Sequence, residues 1–166
     1  IVGERSVIVF ASTREGEEKK IIQSYVNLKN KFDALLIIVP RHPQRFDEVF
    51  DLIVDSGLDV QRRSHGLSCE ETTQVLLGDS MGELLSYYSV CDIAFIGGSL
   101  IDAGGQNMLE AAAASKPILF GPSVFNFEQI ALSLLETDSA IQVNDSDDLM
   151  KTISSLLLDD TKRQKL

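Results

Sequence analysis

Six short, almost wholly aliphatic runs punctuate this 166-residue chain, and they restrict its fold more than any other feature. They are "SVIVFAS" from Ser6, "ALLIIVP" from Ala34, "TQVLLGD" from Thr73, "DIAFIGG" from Asp92, "KPILFGP" from Lys116 and "AIQV" from Ala140. None alternates with polar residues over its length, so each reads as a strand covered on both faces. Helical patterns separate most of them, over 15–30, 43–56, 81–90, 107–115, 125–135 and 145–158. The polar run "DVQRRS", 59–64, stands as an edge strand or a loop. Strand followed by helix, repeatedly, predicts an α/β three-layer sandwich of Rossmann-like type, with a mainly parallel sheet between two helix layers.

With 44% apolar residues the chain has the size and composition of one compact domain over 1–166. It opens on Ile1-Val2 without methionine and stops within "LLLDDTKRQKL", which reads as a domain cut from a longer polypeptide. No run reaches the length of a membrane span, and no signal-peptide pattern opens the chain, so the domain is expected to be soluble. Acidic residues outnumber basic ones 25 to 15, for a net charge of −10, which argues against a nucleic-acid groove and makes any anion site local. Cys69 and Cys91 are unclustered and lack metal-ligand spacing, so they read as ordinary thiols. "NDSDD" at Asn144 reads as the solvated start of a helix, not a metal site.

In open parallel sheets, ligands bind beyond the carboxyl ends of the strands. That rule selects the loops "ASTREGEE" at Ala11, "VPRHPQRF" at Val39, "GDSMGEL" at Gly78, "GGSLIDAGGQNMLE" at Gly97 and "FGPSVFNFEQI" at Phe120. Ser12 and Gly98, in the first and fourth of these, are candidates to line a ligand site. Gly104 and Gly105 permit positive φ and close backbone approach, and the helix pattern that follows them offers free N–H groups suited to phosphate. Asn107 and Glu110 share one helical face, and a carboxylate there can accept two hydrogen bonds from adjacent sugar hydroxyls. The same N-x-x-E spacing also describes a helix cap, and both readings stand. Arg41 leaves an apolar strand at the crevice edge, where its planar fork suits a base or a phosphate, or else a salt bridge across the sheet end. Residues 81–83 are expected to open a helix with their amides toward the crevice, with capping by Asp79 or Ser80 as the alternative. Arg45, His42, Tyr87 and Tyr88 read first as structural. There is no Ser/His/Asp or Cys/His constellation, hence no catalytic residue to name in this chain.

Taken in order and spacing, "ASTREGEE", "VPRHPQRF", "LGDSMGEL", "GGSLIDAGGQNMLEAAAASKPILFGP" and "FNFEQIA" resemble the C-terminal domain of the bacterial 3-deoxy-D-manno-octulosonic acid (Kdo) transferases. These enzymes move Kdo from CMP-Kdo to a lipid A precursor in lipopolysaccharide biosynthesis. The resemblance covers almost the whole chain. It implies the C-terminal half of a GT-B glycosyltransferase, two Rossmann-like halves facing a cleft, with the donor nucleotide held mainly by this half. It further implies that Pro40 and Arg41 contact cytidine, that Met81, Gly82 and Glu83 line the nucleotide pocket, and that Asn107, Met108, Leu109 and Glu110 bind ribose and phosphate. Inverting transfer without a metal or other cofactor follows, with the catalytic carboxylate and the acceptor and membrane surfaces in the N-terminal half. The full-length enzyme would work at the cytoplasmic face of the inner membrane, and this domain alone would be inactive. The family's patterns read G-G-H-N-P-L-E and S-T-H-E-G-E-E, whereas this chain has Gln106 and Met108 in the former and Arg14 in the latter. The alternative is the nucleotide-binding half of another GT-B enzyme, one using a UDP-sugar.

Overall fold

The structure, a computed structural model, describes residues 5–28 and 33–166. The apolar runs form β1 (Ser6–Thr13), β2 (Ala34–Pro40), β4 (Val75–Leu77), β5 (Ile93–Ile96), β6 (Ile118–Phe120) and β7 (Ala140–Gln142), and the polar run supplies β3 (Val60–Arg62). All seven join one parallel sheet in the order β3-β4-β2-β1-β5-β6-β7. The polar run is thus an edge strand. Its residues are all half-buried, as suits a strand with one open side, whereas every residue of β2 is buried.

Alternate residues along the strands feed two separate cores. Ile8 and Phe10 of β1 pack with α1 (Glu17–Leu28), α2 (Phe46–Asp55) and α6 (Ser146–Leu158), while Val7, Val9 and Ala11 pack with α3 (Leu84–Val90), α4 (Leu109–Ala113) and α5 (Glu128–Glu136). Phe10 and Phe95 lie side by side on the first face with ring centroids 5.8 Å apart, both fully buried. Truncating either to alanine would cost about 3–5 kcal/mol. A last helix, α7 (Asp160–Lys165), follows α6 directly. Asp145 caps α6 by accepting the N–H of Asp148 at 2.8 Å, so the acidic segment at Asn144 is a helix start.

Several expected helices are shorter at their starts. The pattern from 15 begins at Glu17, and its positions 29 and 30 lie outside the described residues. The pattern from 43 opens with a 3₁₀ turn, Pro43–Arg45, before α2. Residues 81–83 do not open α3: Gly82 has φ +79°, which no right-handed helix admits, and α3 begins only at Leu84. The pattern from 107 becomes a helix at Leu109 and lasts five residues.

The chain lays down β1 to β4 on one side of the sheet and then crosses to place β5 on the other side of β1. β1 and β5 therefore flank the point where strand order reverses, the position at which open α/β sheets form their binding crevice.

Candidate functional site

The crevice begins with an irregularity in β1. Ala11 pairs with Val39 and Thr13 with Pro40, so Ser12 is an extra residue, and it takes a left-handed φ of +56°. A non-glycine residue in that region is strained by about 1 kcal/mol or more, and such positions concentrate at functional sites. Beyond the bulge, the N–H of Arg41 donates to Thr13 O at 2.9 Å, and on the other flank the N–H of Gly97 donates to Ala11 O at 2.8 Å. A Cβ on Gly97 would lie 2.6 Å from Ser12 O, so only glycine allows the β5 loop to run this close to β1.

The β5 loop is held from below by a carboxylate. Glu17, fully buried in the first turn of α1, accepts the N–H groups of Gly98 (2.7 Å), Ser99 (3.2 Å), Leu100 (3.0 Å) and Arg14 (3.2 Å). Burial pushes its pKa upward and outweighs the opposing pull of those backbone bonds. Ser99 links the loop to β6, its hydroxyl accepting the N–H of Gly121 at 2.8 Å. Gly104 donates to Ser123 Oγ at 3.0 Å and accepts from the N–H of Asn126 at 3.2 Å, so the β6 loop braces the glycine pair.

Ser12, Arg41, Gly82, Leu84, Leu85, Gln106, Asn107 and Glu110 line one cleft of about 370 Å³ above these loops. Larger hollows exist, one between α1 and α2 of about 520 Å³, one behind α3 of about 460 Å³, and one beside Lys20 and Pro122 of about 550 Å³. The smaller cleft is the one that brings together an arginine and a carboxylate that both lack a hydrogen-bonding or ion-pair partner for the side chain among the described residues, Arg41 and Glu110. The cation that bridges the sheet end is Arg45, paired with buried Glu18 at 2.7 Å and with Glu48 at 3.0 Å.

The expected helix cap does not form: the N-cap position of α4 is Met108, with no side-chain cap bond. Asn107 Oδ1 accepts the N–H of Leu109 at 3.0 Å, while Glu110 does not reach back to close a capping box. A five-residue helix brings little dipole to this end of the cleft, so the anticipated phosphate seat on its N-terminus loses that support.

The other anticipated residues are dispersed around the cleft. Met108 is fully buried in the core beside Ala111, so its side chain is not open to a ligand, because the first helical turn rotates it inward. Pro40 is buried at the end of β2. Gly98, Gly104 and Gly105, all with positive φ, are buried and outside the cleft lining, the latter two against the β6 loop. Leu109 and Met81 are exposed. Glu83 is engaged: it accepts from Arg63 Nη2 at 2.8 Å, from the Ser80 hydroxyl, and from Tyr87 OH at 3.4 Å. The Ser80 hydroxyl, with Arg63 assisting, holds its carboxyl below the usual range. Asp79 caps no helix, because both its oxygens are taken by the N–H and hydroxyl of Ser64.

Sequence reasoning missed Gln106, Leu84 and Leu85 in the cleft wall, and it missed Glu17 altogether. The available signal for Glu17 was an acidic pair placed a short loop after an apolar strand, where a solvated helix start had little room.

Residues 7–166 match the family described as glycosyl transferases group 1. The chain is 41% identical over 165 residues to the 3-deoxy-D-manno-octulosonic acid transferase of Haemophilus influenzae, and 39% identical over 168 residues to that of Bordetella pertussis. Each alignment covers 98% of this chain and 39% of the relative, so the chain spans about two fifths of their length. Among solved structures, it superposes with a TM-score of 0.94, at 35% identity, on the C-terminal CMP-Kdo binding domain of WaaA from Acinetobacter baumannii, covering 99% of this chain and 86% of that one. This chain belongs to the family of group 1 glycosyl transferases. Its cleft lies at the switch point of the Rossmann-like sheet, with Arg41 and Glu110 in the lining.

Proposed function

We propose that residues 1–166 are the donor-binding half of a two-domain GT-B Kdo transferase, and that the cleft beside Arg41 receives the CMP portion of CMP-Kdo. The observation that supports this most is the pairing of an unengaged Arg41 with an unengaged Glu110 across one cleft, in a chain 35% identical to a domain described as binding CMP-Kdo.

In this reading Glu110 accepts hydrogen bonds from the two ribose hydroxyls, a charge-assisted contact. Asn107, whose carbonyl is occupied by Leu109, offers its amide N–H groups beside it. Arg41 takes the cytosine edge or the phosphate, with Pro40 buried behind it. Exposed Met81 and the open backbone at Gly82 border the base, and Glu83 keeps the turn in place through Arg63 and Ser80. Met108 packs beneath the ribose site and Leu109 forms its rim. Ser12 and the glycines Gly98, Gly104 and Gly105 let the backbone approach the donor.

The chemistry assigned to this half is stabilisation of the leaving group. Negative charge grows on the CMP phosphate as the anomeric bond breaks, and a positioned guanidinium meets it without reorganisation. The catalytic carboxylate, the lipid A acceptor site and the membrane contact belong to the N-terminal half, and transfer inverts the anomeric centre. Among the described residues no helix is long and apolar enough to cross a membrane, and the full-length enzyme is assigned to the cytoplasmic face of the inner membrane. The test is calorimetric titration with CMP and UMP. CMP binds and UMP binds more weakly, and equal affinities would overturn the cytidine assignment in favour of a UDP-sugar enzyme.

A further inference from the structure

Seven arginines are present, and five of them have side chains engaged by protein groups. Arg5 donates to backbone carbonyls, Arg45 pairs with Glu18 and Glu48, Arg62 with Asp47, Arg63 with Glu83, and Arg163 with Asp160. The guanidiniums of Arg14 and Arg41 donate to no described residue. The Nε of Arg14 is moreover buried without an acceptor, an arrangement that costs free energy until an acceptor arrives.

These two arginines are neighbours by construction of the sheet. Thr13 and Pro40 are register partners on adjacent strands, and Arg14 and Arg41 are the residues that follow them. The N–H of Arg41 still bonds to Thr13 O at 2.9 Å, so the two chains part side by side, at about the 4.8 Å spacing of paired strands. Neither guanidinium has a carboxylate partner among the described residues. Glu17 is committed to backbone N–H groups, including that of Arg14 itself, and Glu18 gives one oxygen to Arg45. The backbone of Arg14 is fixed toward the β5 loop, because its N–H and that of Gly98 share Glu17 Oε2. Arg41 continues from the end of β2, which flanks β1 on the side away from β5. A chain of net charge −10 thus keeps two arginines without a protein partner for the guanidinium directly after register partners of neighbouring strands, and Arg41 of the two lines the cleft.

We infer that Arg14 is a specificity-determining residue that holds the carboxylate of the donor sugar, while Arg41 holds the nucleotide. This rests on the donor reading given above and extends it. An ulosonic acid bears its carboxylate on the anomeric carbon, which is also the carbon bonded to the phosphate oxygen. The two anions of such a donor are therefore separated by one oxygen and one carbon, and two adjacent cations complement them. A guanidinium fork also matches a carboxylate in a bidentate manner, which an ammonium does not.

The test is calorimetric titration of the wild-type chain, Arg14→Ala and Arg14→Gln with CMP and with freshly prepared CMP-Kdo, after circular dichroism has shown which variant is folded. The expected result is CMP affinity within twofold of wild type and CMP-Kdo affinity reduced at least tenfold. Unchanged CMP-Kdo affinity, or an equal loss for both ligands, would overturn the assignment of Arg14 alone. Failure of the wild-type chain to bind CMP would overturn the donor reading and this assignment together.

Discussion

Glu17 Oε2 accepts the N–H of Gly98 at 2.7 Å across 81 residues of sequence, and through that bond the start of α1 holds the loop that follows β5. Two further amides of the same loop, Ser99 and Leu100, depend on the other oxygen. Glu17→Ala strips these donors of their acceptor inside a buried space, and each unsatisfied buried group costs about 1–3 kcal/mol. The expected loss is about 3 kcal/mol or more, read from urea denaturation. Glu17→Gln keeps one acceptor oxygen and turns an NH₂ toward N–H donors, so an intermediate loss of about 1–3 kcal/mol is expected. An alanine variant within about 1 kcal/mol of wild type would show that the loop holds itself without the carboxylate.

Glu110→Gln separates ligand contact from capping. The Glu110 carboxylate closes no capping box and has no hydrogen-bond partner among the described residues, so the melting temperature should barely change. CMP affinity should fall by roughly 1–3 kcal/mol, because a charge-assisted acceptor becomes a neutral one. A lowered melting temperature with intact CMP affinity would return Glu110 to a structural role.

Arg41→Lys retains the charge and removes the planar, multi-donor fork. Its backbone bond to Thr13 O is untouched and its side chain anchors no described residue, so stability should hold. CMP affinity is expected to fall about tenfold or more, equivalent to roughly 1.4 kcal/mol. In the full-length enzyme, recovery of the transfer rate at high donor concentration would place the loss in ground-state binding. A fallen turnover at unchanged donor affinity would place it on the departing phosphate. Wild-type affinity together with wild-type turnover would remove Arg41 from the site.

Burial also raises the pKa of Glu18, with Arg45 pulling in the opposite direction less strongly. A carboxyl whose folded pKa exceeds its unfolded value binds more protons in the folded state across the interval between the two. Stability from this group therefore falls as pH rises from the ordinary carboxylate range through the raised value. Relative to Glu18→Gln, which cannot titrate, the wild-type protein should gain stability on acidification from above the raised value toward the ordinary carboxylate range. Urea midpoints of the two proteins across that range provide the measurement, and parallel curves would contradict the shift.

The strands and their alternation with helices were legible in the linear sequence, because a strand buried on both faces must be apolar at every position and a parallel crossover needs a helix. The loops at their carboxyl ends followed from the same rule, which placed Ser12, Arg41, Gly82, Asn107 and Glu110 where the structure shows one cleft. Local pattern failed at helix starts. "SMGEL" and "QNMLE" carry helix-compatible residues, yet the positive φ of Gly82 and the inward packing of Met108 delay both helices. Strand order was beyond local reading, since the placement of β5 against β1 is a choice among distant partners. Glu17 and Glu18 make the same point: by sequence they open a helix as a solvated acidic pair would, and by tertiary contact both are buried, one on the amides of a loop 81 residues away and the other on Arg45. Periodicity records which residues avoid water, because that cost is paid residue by residue. Which groups satisfy a buried carboxylate depends on where the completed sheet brings distant backbone amides, and only the folded chain decides that.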